Sequence, residues 1–393
     1  MTHEELQELL FDNEVYDAYQ FIQNAHKTVI TACFCKDVIL ALIKKMDTKH
    51  QQWQENLVSQ LTKQEGPLKQ IGIAANGLPS FNLSVCDVEI TAPFLLDKLT
   101  KDFFQYSRNT FDYMSQAANA ACLATKAKKI SNVDFGFMKK VFDQQTYSHI
   151  FPNVSSWYNL VASSTEFQYI ENFNNRTKHT SDIFLKMSIA LLGSECEMSI
   201  NPFYQKSQQH PKQDIAGYLE LIYKFVSTCY TEFISALKAE IPKKVFIENR
   251  YAKIHILQQK LKDNPNSSFS MPYIDMINDI KSMPDTIQVL LVAKHSGKVY
   301  AQNSPFETIY VKGPNGNFDF VGKYVAETLY GEDALLQYRK YKKIIHQKTD
   351  IPLCFQAMND PSQKGVFYHA NMFVDIQTIT DDKDFEQRVL LPF

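Results

Sequence analysis

The sequence predicts a mainly α protein with an α+β C-terminal part. Apolar residues recur at helical spacing through most of the first 262 residues, and beyond residue 283 they alternate in short runs separated by turn residues. Glycine is scarce, with 12 among 393 residues, which argues against a glycine-rich α/β fold for nucleotide binding. The length favours two or three domains.

The first two parts are predicted to be helical. Residues 1–90 form an N-terminal helical segment that ends in a connector punctuated by Gly and Pro, with one short strand. Residues 91–264 form a helical bundle, and Thr91 is the expected N-cap of its first long helix. Ser163 and Glu166 have the spacing of a capping box for a later helix.

The chain after the bundle helices is predicted to change character. A loop with two prolines is expected over 193–214, and the last helix of the bundle over 248–262. Residues 283–393 are predicted to form a small α+β domain with a mixed sheet. Its strand pairs turn at SGK and GPNGN, a helix is expected over 326–347, and two more strands follow it, one of them over 351–358.

Composition excludes several classes of protein. The formal net charge is −2, so the chain as a whole does not attract nucleic acid or an anionic membrane, and any basic surface is local. The acidic N-terminus does not resemble a signal peptide, and Lys36 and Asp37 interrupt the longest apolar run, so no membrane association is expected. The seven cysteines are scattered and odd in number, which is typical of reduced thiols and predicts a cytoplasmic protein.

The stretch ENFNNRTKHTSDIF, residues 171–184, holds the richest group of polar side chains. On a helix, Asn172, Asn175 and His179 lie within about 40° of one face. Amides, an imidazole and the cations Arg176 and Lys178 would then converge on one patch and could contact phosphate or base edges. A second interpretation remains open, because Lys, His and Asn also suit the solvated C-terminus of a helix.

A second polar group interrupts the aromatic helix that begins at Thr91. Arg108 and Asp112 are four residues apart, which favours an ion pair within the helix. Alternatively, Arg108 faces a neighbouring helix and joins His179 in a cleft, with Asn109 beside it.

These two stretches together resemble the HEPN superfamily of four-helix bundles, over about residues 91–243. The resemblance is carried by a long helix with an internal arginine and by SSTEFQYIENFNNRTKHTSDI, in which N-x-x-x-K-H follows a helix start. It implies a metal-independent ribonuclease of stress or phage defence, in which His179 acts as acid or base and Arg108 stabilises phosphate charge. It further implies a homodimer and RNA or a nucleotide as ligand.

The HEPN motif is degenerate in this sequence. In NNRTKH, Asn174 stands where the family has arginine, and Arg176 is displaced by two positions. In RNTFDY, which begins with Arg108, Tyr113 replaces histidine. The resemblance therefore leaves two hypotheses. The first is a ribonuclease in which Arg176, Lys178, Asn174, Asn175 and Asn109 bind the substrate. The second is a non-catalytic scaffold that binds a nucleotide or a protein.

Other patterns are weaker. The sequence lacks the common nucleotide-binding motifs and has no set of ligands spaced for a metal, so we expect neither a cofactor nor a metal site. The cluster YRKYKK, residues 338–343, interleaves tyrosine with basic residues and could follow a nucleic-acid backbone. A solvated helix face is the alternative for this cluster.

Overall fold

The computed structural model divides into two compact units. The helical unit comprises Ile22–Met114 and Val154–Ser235, and the sheet unit comprises Met1–Phe21, Ser115–Asn153 and Ala236–Phe393. The residues that the structure describes are 3–13, 15, 18–63, 81–123, 126–189, 196–241, 251–261, 264–275, 285–295, 298–304, 306–312, 320–327, 339–344, 367–370 and 386–390. The predicted division at residues 90 and 283 stays a prediction.

The fold class is confirmed: helices dominate up to residue 241, and the C-terminal part forms sheet. The helices among the described residues are α1 (His3–Asp12), α2 (Ala18–Thr62), α3 (Ala92–Ala118), α4 (Phe135–Phe142), α5 (Gln145–Ile150), α6 (Pro152–Ser163), α7 (Thr165–His179) and α8 (Ile215–Glu240). A π-helical turn, Asn119–Leu123, continues α3, and a 3₁₀ turn spans Ile130–Asn132. None of these described helices is both long enough and apolar enough to span a bilayer.

Short strands occur within the helical unit. They are β1 (Asn82–Val85), β2 (Val88–Thr91), β3 (Leu185–Ile189), β4 (Cys196–Ile200), β5 (Phe203–Gln205), β6 (Gln208–His210) and β7 (Gln213–Asp214). The hairpin of β1 and β2 confirms the short strand expected before α3. The loop expected over 193–214 is wrong, because β4, β5, β6 and β7 occupy most of it.

The helical unit is held by an aromatic core and a few buried polar contacts. Phe111 of α3 is fully buried, and its ring lies 4.9 Å from that of Phe167 in α7. Trp157 of α6 donates a hydrogen bond from Nε1 to the carbonyl oxygen of Cys229 in α8 at 3.0 Å. The ring contact packs α7, which carries most of the predicted site residues, against α3, and the hydrogen bond joins α6 to α8.

The sheet unit contains the strands of the C-terminal part. They are β8 (Tyr251–Leu261), β9 (Asn264–Asp275), β10 (Thr286–His295), β11 (Lys298–Asn303), β12 (Thr308–Lys312), β13 (Phe320–Ala326), β14 (Arg339–Ile344), β15 (Phe367–Ala370) and β16 (Glu386–Leu390). Their order is β11-β10-β14-β13-β12-β9-β8-β15, and β16 pairs with both β10 and β8. The pairing is antiparallel except between β12 and β9. The strand pairs predicted on either side of SGK and GPNGN are confirmed as β10–β11 and β12–β13, while Ser296, Gly297 and 313–317 lie outside the described residues.

Two predicted helices are wrong. The helix expected over 248–262 is strand β8, which pairs with β9. The helix expected over 326–347 is strand β14 where the structure describes it, at Arg339–Ile344, and this strand pairs with β10 and β13. In both cases cross-strand pairing prevails over local helix propensity. The strand expected over 351–358 lies outside the described residues.

Candidate functional site

Helix α7 positions most of the predicted site residues. Its N-cap is Ser164, whose Oγ accepts a hydrogen bond from the backbone N of Phe167 at 3.2 Å, so the cap lies one residue after the predicted Ser163. Glu166 lies in the first turn, and three basic residues lie in the last, as the helix dipole favours. These basic residues are Arg176, Lys178 and His179.

Two asparagines of α7 face the protein interior. Asn172 is 4% exposed, and its Nδ2 donates to Gln208 Oε1 at 3.1 Å and to His210 Nε2 at 3.0 Å. Asn174, predicted to contact substrate, is 7% exposed, so little of its side chain is accessible to a ligand. Asn175 is half-buried. The amides therefore serve the packing of α7 more than its surface.

The strands β5 and β6 form a hairpin that lies on α7. Lys206 and Ser207 at its turn have φ values of 48° and 63°, the left-handed conformation typical of tight hairpin turns. The ring of Phe203 lies 5.3 Å from that of Tyr169 and 5.9 Å from that of Phe173. Aromatic contacts thus hold the hairpin against the buried side of α7.

His210 is the imidazole at the centre of this contact. It is 4% exposed, and its ring stacks on Phe203 at 4.5 Å. Burial lowers the pKa of His210 below its ordinary value, because the charged form is poorly solvated there. A neutral ring accepts the hydrogen bond from Asn172 on Nε2, which places its proton on Nδ1.

Arg176 connects the end of α7 to the hairpin. Its Nη1 donates to the backbone carbonyl oxygen of Tyr204 at 2.5 Å. The side chain of Tyr204 remains 59% exposed. Lys178 and His179, within one turn of Arg176, are exposed. Arg176 therefore ties the backbone of an exposed tyrosine to the last turn of α7, which also carries two exposed basic residues.

An ion-pair network fixes the segment after α7. Lys101 of α3 lies 2.7 Å from Asp97 and 2.7 Å from Asp182. The backbone N of Asn201 donates to the carbonyl oxygen of Phe184 at 3.1 Å, and the Phe184 side chain is 68% exposed. The network neutralises Asp182, the acidic residue closest in sequence to His179. Phe184 is left as a second exposed ring after the end of α7.

Arg108 lies elsewhere. It is 8% exposed and pairs with Asp112 at 2.5 Å, as the spacing of four residues favoured. Its guanidinium carbon lies 5.6 Å from the centre of the Phe167 ring, near the start of α7, and Asn109 is half-buried. His179 ends the same helix twelve residues later, which corresponds to about 18 Å along the axis. Within one chain the structure does not bring Arg108 and His179 to a single phosphate.

Sequence reasoning missed the residues that organise this region: Gln208, His210 and Tyr204. They lie in the segment expected to be a loop. The sequence signal is weak: Phe203 and Tyr204 are aromatic residues of a kind that favours strands, but they make a run of only two. Nothing local indicates that His210 meets Asn172, because that contact spans 38 residues.

The comparisons with known proteins reach the C-terminal part alone. A family model described as a domain of unknown function, DUF8310, matches residues 251–380. This segment covers the strands from β8 to β15 and is about a third of the chain. Neither a curated protein nor a solved structure matches the chain. Within the described residues, no group of three His, Cys, Asp or Glu side chains is placed to hold a metal ion.

Proposed function

We propose that this protein is a HEPN-like, RNA-binding protein that holds single-stranded RNA at the end of α7 without cleaving it. The observation that carries the proposal is that Arg176 ties the strand of the exposed Tyr204 to the last turn of α7, where Lys178 and His179 are also exposed. Exposed rings next to cations are what single-stranded nucleic acid requires, since bases stack on the rings and phosphates contact the cations. We name Lys178, His179, Phe184 and Tyr204 the α7 terminal surface.

Binding rather than cleavage is favoured by how the cations are used. Arg108 is engaged by Asp112, and Arg176 is engaged by the Tyr204 carbonyl. The acid or base of the first hypothesis, His179, therefore has no arginine of its own chain that stands ready beside it among the described residues. Metal-free cleavage needs both an acid or base and a group that stabilises the phosphate charge. The non-catalytic hypothesis fits this geometry better.

The test measures binding and cleavage on the same samples. Fluorescence anisotropy of a labelled single-stranded RNA in EDTA gives the Kd, and a denaturing gel of the same mixture shows cleavage. We expect Tyr204→Ala to weaken binding about tenfold, from the loss of one stacked base. We expect Lys178→Gln to weaken it roughly fivefold near 0.1 M salt, from the loss of one phosphate contact.

The controls separate the surface from the fold. Arg176 binds the backbone of Tyr204, so Tyr204→Phe keeps both that hydrogen bond and the ring, and should bind as wild type does. Lys224→Gln removes an exposed charge on α8 and should also have no effect. Cleavage by wild type that His179→Ala abolishes would overturn the proposal in favour of a ribonuclease. An unchanged Kd in the Tyr204→Ala variant would remove the α7 terminal surface from any RNA site.

A further inference from the structure

The basic cluster YRKYKK of the C-terminal part lies largely on strand β14, so its side chains alternate between two faces of a sheet. Strand β14 has the sequence RKYKKI, and successive side chains of a strand point to opposite faces of the sheet. Tyr341 is fully buried; its hydroxyl donates to the carbonyl oxygen of Phe306 at 2.8 Å and accepts from Ser304 Oγ at 2.5 Å. The face of β14 that carries Tyr341 is therefore the interior face.

The neighbouring strands agree on which face is interior. Tyr324 of β13, Ile309 of β12 and Val289 of β10 are each fully buried. Arg339 and Lys343 each lie two residues from Tyr341 on β14 and therefore share its face. Val289 is opposite Arg339, and Tyr324 is opposite Lys343. Ile309 in turn is opposite Tyr324, so all three buried residues lie on the face of Tyr341. The other face of these four strands must be the outer one.

The outer face collects lysines from two adjacent strands. Lys340 and Lys342 alternate with Tyr341 along β14, and Lys323 of β13 is opposite Ile344. Tyr310 of β12 is opposite Lys323, and Lys323 Nζ lies 5.9 Å from the centre of its ring. Lys342 and Ile344 are exposed, and the other three side chains are partly exposed. We name Tyr310, Lys323, Lys340 and Lys342 the lysine face.

Charge on the lysine face is positive after its acidic neighbour is counted. Glu327 pairs with Lys340 at 3.5 Å, and both side chains are partly exposed, so this ion pair is weak and exchangeable. Glu307 instead pairs with Arg339, whose register places it on the interior face. Among the side chains that the structure describes on this face, three lysines against one carboxylate make a local basic surface on a chain whose net charge is −2.

We propose that the lysine face binds single-stranded nucleic acid, with the phosphates along Lys323, Lys340 and Lys342 and a base on Tyr310. Lysines two residues apart on one strand are about 6.8 Å apart, a spacing of the same order as that of successive phosphates on an extended strand. A partly exposed tyrosine beside a lysine gives a base a surface to stack on. In a duplex the bases are stacked on one another inside the helix, so none is available to stack on Tyr310.

This site uses residues that are distinct from the α7 terminal surface, so it goes beyond the proposed function and can be tested apart from it. The probe is a short labelled single strand, as RNA and as DNA, measured by anisotropy over a series of salt concentrations. We expect the triple variant Lys323→Gln, Lys340→Gln, Lys342→Gln to reduce the slope of log K against log salt by about 2. Near 0.1 M salt this corresponds to a roughly 100-fold loss of affinity.

The matched control is Lys343→Gln, on the same strand and the opposite face, where the lysine side chain lies over Gly322. It removes one charge from β14 and should leave the slope and the Kd unchanged. The variants are repeated with Lys178→Gln and Tyr204→Ala in place, so that the loss of either surface is recognised separately. If the triple variant does not fold, Lys342→Gln alone, at an exposed position, should lower the slope by about 0.7.

Three outcomes would overturn the proposal. The first is an unchanged salt slope in a folded triple variant. The second is an affinity for a duplex of the same sequence equal to that for the single strand. The third is displacement of the probe by polyglutamate as effective as its displacement by the unlabelled single strand. Binding of RNA alone, of DNA alone or of both single strands supports it and identifies the source of the ligand. Tyr310→Leu should weaken binding about tenfold with no change in the slope, because a ring and not a charge is lost.

Discussion

Asn172 and His210 form a buried hydrogen bond between α7 and β6, with 3.0 Å between Nδ2 and Nε2. Residues 171–184, the stretch with the richest group of polar side chains, therefore serve in part to bind the hairpin of β5 and β6. Because both groups are at most 4% exposed, each would lose hydration without its partner. The polar residues of α7 therefore divide into those that hold the fold and those that remain at the surface.

The first prediction is that Asn172→Ala destabilises the protein by about 1–3 kcal/mol, since the buried His210 loses its donor. Urea unfolding followed by circular dichroism measures the change in the free energy of unfolding. Asn175→Ala, at a half-buried neighbouring position, should cost less than about 0.5 kcal/mol. Equal losses in the two variants would contradict the role given to Asn172.

The second prediction concerns pH. Burial lowers the pKa of His210 in the folded state, so the unfolded chain binds a proton more readily than the native one. The stability that depends on a neutral His210 is fully present above the unfolded pKa of about 6.5. It is lost as the pH falls through the lower pKa of the folded state. We expect the free energy of unfolding to fall as the pH decreases below about 6.5.

His210→Gln should flatten that pH dependence, although it lowers stability at neutral pH. The pKa of His26 is also lowered by burial and gives the same sign, so the difference between variant and wild type isolates His210. His179→Gln, at an exposed position, is the control and should keep the dependence of the wild type. An unchanged pH profile in His210→Gln would show that His210 is not held neutral by burial.

The parts of the fold that could be predicted are those with local signals. The paired strands on either side of SGK and GPNGN are close in the sequence, and the alternation of apolar and polar residues in each is short and clear. The prediction of a helix at the position of β14 was wrong because arginine and lysine are good helix formers. Only the pairing with β10 and β13 makes RKYKKI a strand. The helix predicted over β8 was also wrong, although its partner β9 follows directly in the sequence; the pairing of the two strands prevails over the local helical pattern.

In the candidate site, too, only contacts between residues close in the sequence could be predicted. The pair Arg108–Asp112 could be predicted from its spacing, because both residues lie on one helix four positions apart. The contact of Asn172 with His210 could not be, because it depends on a hairpin that folds back over 38 residues. A short motif such as NNRTKH gives the residue types, but tertiary packing decides which of them remain exposed.

The third prediction tests whether Arg108 is structural. Asp112→Asn should cost about 1–3 kcal/mol, because Arg108 is 8% exposed and its charge would lose its partner. Asp102→Asn removes the partner of the more exposed Lys98 on the same helix and should cost less than about 1 kcal/mol. Chemical denaturation of both variants gives the comparison. If Asp112→Asn instead leaves stability intact and changes RNA cleavage, Arg108 belongs to a reactive site.

The fourth prediction concerns Glu240 at the end of α8. It is 1% exposed, and its Oε1 accepts hydrogen bonds from the backbone N and from Nδ2 of Asn153, each at 2.8 Å. Asn153 lies in the first turn of α6, where a carboxylate satisfies a free backbone N–H and complements the helix dipole. Glu240 thus acts as a cap supplied from a distant part of the sequence.

Glu240→Ala should lower the free energy of unfolding by about 2–3 kcal/mol, because both donors of Asn153 lose a charged acceptor. Glu240→Gln keeps an acceptor oxygen of the same shape and should lose less, which separates the hydrogen bonds from the packing of the side chain. Glu232→Ala, at an exposed position on the same helix, should change stability by less than about 0.5 kcal/mol. Urea denaturation ranks the three variants. A Glu240→Gln variant as unstable as Glu240→Ala would mean that the negative charge, rather than the acceptor geometry, stabilises the start of α6.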